Sequence, residues 1–81
     1  MNEKQILLDN LDRLSALEPA KERIRENLGL GDADVVEYCK EMLSRQDCIV
    51  SGMGQNRMCR VGNVIISLNV CSFMIITAHM L

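Results

Sequence analysis

The sequence predicts an α+β fold, with three N-terminal helices packed on a small antiparallel meander of three or four strands. Three observations carry this. The last third of the chain, VGNVIISLNVCSFMIITAHML, holds two apolar, β-branched runs, Val64–Asn69 and Phe73–His79, only three residues apart. Gly62-Asn63 separates Val61 from Val64 and supplies the positive φ of a tight hairpin. Before residue 45, apolar residues recur instead at spacings of three and four, the helical period.

A first helix is expected over 2–14. Leu7, Leu11 and Leu14 share a face with Leu8 beside them, and Glu3, Lys4, Asp9, Asp12 and Arg13 cover the other. Residues 15–18 break the pattern. Pro19 opens a second helix, 19–28, because a first helical residue has no N–H bond to lose. Ala20, Ile24 and Leu28 point inward, and Gly29 is the left-handed stop. Asp32 is the expected N-cap of a third helix, 33–44, whose Val35, Val36, Cys39, Met42 and Leu43 form a broad apolar stripe.

Strands follow over 47–51, 57–61, 64–69 and 73–79, with a glycine-containing loop at 52–56. Alternation places Phe73, Ile75, Thr77 and His79 on one face of the last strand and Met74, Ile76, Ala78 and Met80 on the other. Both faces of the sheet are thus partly apolar. In a chain this small, the second face points to a partner or a second copy.

Composition bounds the rest. Eighty-one residues make a single domain, 1–81, and a chain of this length buries only about 60–65% of its unfolded surface. Tyr38 and Phe73 are the only aromatics, so Leu, Ile, Val, six Met and four Cys fill the core. The net charge of −2 lacks the basic excess of a general nucleic-acid binder. The N-terminus has no apolar signal-peptide region, and no apolar run reaches the ~18 residues of a membrane span. A cytoplasmic location with reduced cysteines is expected.

Several segments together resemble a small uncharacterised bacterial family, a domain of unknown function of similar length. They are ILLDNLDRL near the start, ERIRENLGL at Glu22–Leu30, DVVEYCKE at Asp34–Glu41 and, most specifically, VIISLN with SFMIITAH. The resemblance covers nearly the whole chain and implies a fold but no activity. Members of that family end the last strand in Thr-Ala-His followed by Lys; here Thr77, Ala78 and His79 are followed by Met80-Leu81. The family looks aromatic where this chain has Arg57-Met58-Cys59.

Candidate chemistry is sparse. His79 is the only histidine, and imidazole suits proton transfer near neutrality. Its plain reading is a strand-end side chain that packs or hydrogen-bonds. Helices followed by an antiparallel sheet resemble the small ribonuclease toxins of the RelE and barnase kind. On that analogy His79, Arg57 and Arg60 would move protons and hold the scissile phosphate. The acidic balance and the lack of base-stacking aromatics weigh against it.

Residues 22–43 also have the outline of a helix-turn-helix, but Asp32, Asp34 and Glu37 would meet DNA phosphates with like charge. Cys39, Cys48, Cys59 and Cys71 lack the close pairing of a zinc site, so no metal is expected. Cys39 is expected to be buried and inert, and Cys71 to be exposed. A Cys71–His79 nucleophile pair fails because the two lie at opposite ends of one strand. Gly52 and Gly54 lack the helix and Lys of a phosphate loop, Ser67 and Ser72 lack a base, and no cofactor is expected. The sequence therefore favours a non-enzymatic interaction or regulatory module, with a protein partner or self-association, no membrane, and nucleic acid disfavoured.

Overall fold

A computed structural model describes residues 3–81, apart from the side chain of Met53. Three helices precede a four-stranded antiparallel sheet: α1 (Glu3–Asp9), a 3₁₀ turn (Leu11–Arg13), α2 (Glu18–Leu28), α3 (Val35–Leu43), β1 (Ile49–Met53), β2 (Asn56–Val61), β3 (Val64–Asn69) and β4 (Ile75–Met80). The strands lie in chain order, so the sheet is a simple meander with β1 and β4 at its edges. None of the described helices is long and apolar enough to cross a membrane.

The expected first helix is shorter and broken; Asn2 lies outside the described residues. Asn10 ends α1 by donating its side-chain amide to the carbonyl of Ile6 at 2.8 Å, and the chain tightens into the 3₁₀ turn. Asn competes in this way with the helical ladder it sits in. α2 begins at Glu18 with Pro19 in its first turn and ends at Gly29, which adopts φ 64°. α3 starts two residues later than expected. Asp34, not Asp32, is the cap, accepting from the Glu37 N–H at 3.1 Å, while Asp32 sits in a turn closed by the Ala33 N–H on the Leu30 carbonyl.

β1 also starts late, because Arg45–Asp47 form a turn whose carbonyls at Arg45 and Gln46 accept from the Lys4 ammonium at 2.7 and 3.2 Å. It then runs on to Met53, opposite Asn56, so the 52–56 loop shrinks to the two-residue turn Gly54-Gln55. The Gly62-Asn63 hairpin forms as expected, with Val61 opposite Val64.

The last strand departs most from simple alternation. Phe73 precedes β4 in a left-handed conformation, φ 56°, with its ring buried. The register then steps from Leu68 opposite Ile75 to Ser67 opposite Thr77, which leaves Ile76 as the extra residue of a β-bulge. Ile75 and Ala78 therefore both face inward, and Thr77 and His79 face outward.

All helices cover one face of the sheet: α2 lies on β4, α3 against β2 and α1 beside β1. The core sits between the layers and includes Leu7, Ile24, Val35, Cys39 and Leu43 from the helices. Cys59, Val61, Val64, Ile66, Leu68, Ile75 and Ala78 supply the sheet side. No polar or charged residue is buried among the described residues.

Candidate functional site: the open face of the sheet

Strand alternation sends every second residue away from the helices. The register sets these into cross-strand rows. One row reads Ile49, Arg60, Ile65, His79, and the next reads Ser51, Met58, Ser67, Thr77. Ile49, Met58 and Ile76 are 67%, 49% and 44% exposed, so large apolar side chains stand in solvent on this face.

A groove of about 540 Å³ runs between Ser51, Met58, Ser67, Ile76 and Thr77. A second cavity of about 440 Å³ opens beside the start of α2, lined by Leu17, Pro19, Arg23, Met74 and Ile76. Ile76 lines both. The bulge that frees this residue from strand pairing thus sets it between the sheet groove and the α2 cavity.

The residues singled out for RNA cleavage are divided. Arg60 and His79 share a row on the open face with Ile65 between them, two strand spacings or roughly 10 Å apart. Arg57 differs from Arg60 by an odd number of residues and so lies on the helix side. There it pairs with Glu3 at 3.2 Å and donates to the carbonyls of Gly54 and Asn56. Arg60 turns its guanidinium toward the Gly62 carbonyl at 3.3 Å. Among the described residues no hydrogen bond or ion pair engages the side chain of His79, which is exposed.

The remaining candidates have structural settings. Cys39, Cys48 and Cys59 are buried and Cys71 is exposed in the β3–β4 loop, at the far end of β4 from His79. Burial pushes the Cys39 and Cys59 thiols up to about 12 and raises that of Cys48, so all three stay protonated near neutrality. Among the described residues no group of three or more His, Cys, Asp or Glu is arranged to hold a metal. Ser72 accepts from the Met74 N–H, and Asp34 is engaged as the α3 cap.

Sequence reasoning found the apolar second face but missed its groove. The signal lay in Met58 and Ile76, one at even parity in β2 and the other displaced by the bulge. It also missed a charge boundary. All eleven carboxylate side chains occur in residues 1–47, and residues 48–81 contain none.

Neither the curated proteins nor the solved structures contain a match to this chain. A family model does match, over residues 8–79, which run from α1 to the penultimate residue of β4. Helices, hairpins and the open face alike fall within that span, and the chain belongs to the family described as protein of unknown function (DUF3781).

Proposed function

We propose that the protein is an interaction or regulatory module, acting in the cytoplasm, whose binding surface is the open sheet face. The observation that carries this is the exposure of Ile49, Met58 and Ile76 on a face that no helix covers. Exposed apolar clusters on small soluble folds mark contact surfaces more often than they serve stability. Capture from cell lysate on immobilised wild type and on Met58→Glu tests the reading, with sedimentation of each protein alone. A partner or self-association lost in the variant supports it. A monodisperse wild-type monomer that captures nothing sinks it.

A second reading, RNA cleavage, draws on the shared row of Arg60 and His79. It expects purified protein to degrade total cellular RNA, and His79→Ala, still folded by circular dichroism, to lose that activity. Intact RNA with both proteins rejects it.

A further inference from the structure

The open face differs from the rest of the molecule in charge as well as in polarity. Residues 1–47 hold every carboxylate side chain, whereas residues 48–81 hold only Arg57, Arg60 and His79 as basic groups. Arg57 is turned to the helix side and neutralised by Glu3. The ionisable side chains left on the open face are Arg60 and His79, in one row beside the apolar groove. A ligand for this face needs an apolar stripe flanked by negative charge.

We propose that the open face receives an acidic amphipathic helix of a partner protein. Its apolar stripe would lie on Met58, Ile65 and Ile76, and its carboxylates against Arg60 and His79. This rests on the interaction-module reading and adds the occupant. The sheet already accepts amphipathic helices on its other face: α2, EPAKERIRENL, with three acidic and three basic residues, and α3, VVEYCKEML, with two acidic and one basic, set Ile24, Val35, Cys39 and Leu43 on it and leave charged residues outside. Size agrees. Four strands at about 4.8 Å spacing set the outer pair about 14 Å apart, close to the ~10–12 Å width of a helix.

Two other occupants fit less well. A second copy presents the same basic row and no carboxylate on its sheet, and the apolar stripes of its α2 and α3 are already buried. A nucleic acid supplies negative charge, but the face offers no aromatic for bases to stack on. Phe73 is buried and Tyr38 belongs to α3.

The test uses the full chain and a fluorescent synthetic peptide of about four helical turns. Leu occupies one face of the peptide and Glu flanks it. Its controls are a twin with Lys for every Glu and a scrambled-order Glu peptide. Fluorescence anisotropy at low salt is expected to show the ordered acidic peptide binding roughly ten-fold or more tightly than either control. Arg60→Glu should erase the preference over the Lys twin, and Met58→Glu should weaken the acidic peptide, with both folds intact by circular dichroism.

Equal affinity for the three peptides, no binding, or indifference to Arg60→Glu overturns the proposal. So does a wild-type dimer that Met58→Glu dissolves, since the occupant is then a second copy. Tight binding of single-stranded RNA with none of the peptide overturns it in favour of nucleic acid. If lysate capture depends on Met58 while the acidic peptide fails, the module reading survives and only the helix is wrong. If neither depends on Met58, the module reading falls too.

Discussion

Phe73 shows how a single residue can hold an unfavourable backbone. Its φ of 56° places a bulky side chain in the left-handed region, at a cost of roughly 1–2 kcal/mol. The loop around it compensates. Asn69 Oδ1 accepts from the N–H groups of Cys71 and Ser72 at 2.8 and 3.1 Å, and the Arg13 guanidinium lies 4.8 Å from the centre of the buried ring. Phe73→Ala keeps the strained φ and loses the ring, so urea unfolding should show a loss of about 3–5 kcal/mol. The thiols divide just as sharply. In native protein a thiol reagent should modify Cys71 rapidly and the three buried cysteines only on unfolding. Cys39 and Cys59 are raised from an ordinary value near 9 to about 12. The stability they contribute is complete below pH 9 and is lost as pH climbs toward 12. Denaturation followed across that window should fall with pH, and Cys39→Ala should make the fall shallower.

Beside the apolar packing of α1 on β1, a charged side chain ties the β1–β2 hairpin to α1. Arg57 folds over Gly52, reaches the Gly54 carbonyl at 2.9 Å and pairs with Glu3 at 3.2 Å. A Cβ on Gly52 would stand 2.7 Å from the Arg57 guanidinium. Gly52→Ala should therefore displace Arg57 and cost about as much as Arg57→Ala, near 1 kcal/mol for a half-exposed pair with hydrogen bonds. The double variant should add little to either single one in urea unfolding, because both remove the same clasp. Local chemistry made much of the element order legible. Gly62-Asn63 between β-branched runs, Pro19 in a first turn and Gly29 after Leu28 each meet a backbone requirement within a few residues. The features that escaped depend on distant partners. The N–H and C=O of Ser15 bond Phe73 and Ile75 across the chain, beside the point where β4 bulges. The split of Arg57 from Arg60 was readable by parity, and the Arg57 clasp was not, since it needs Glu3 beside the hairpin.

At the scale of the molecule, one sheet carries two unlike faces. The face under the helices is a closed apolar layer, and the other combines exposed apolar side chains with Arg60 and His79 and no carboxylate. The sequence implied a second apolar face through Met74, Ile76, Ala78 and Met80 of the last strand, but the bulge turns Ala78 inward and leaves Ile76 exposed, and strict alternation does not register a one-residue step. If the open face exists for binding, its apolar side chains should contribute almost nothing to folding. Met58→Ser and Ile76→Ser should then stay within about 0.5 kcal/mol of wild type, as surface changes usually do. Ile66→Ala, on the intervening strand β3, facing the covered side and fully buried, should lose about 2–5 kcal/mol through lost transfer energy and an unfilled cavity. Urea midpoints at equal slope provide the comparison. A large loss at Met58 or Ile76 would mean that these side chains hold the sheet together, and their exposure would no longer point to a partner. Small losses there beside a large one at Ile66 would leave the open apolar face without a folding role, as a contact surface requires.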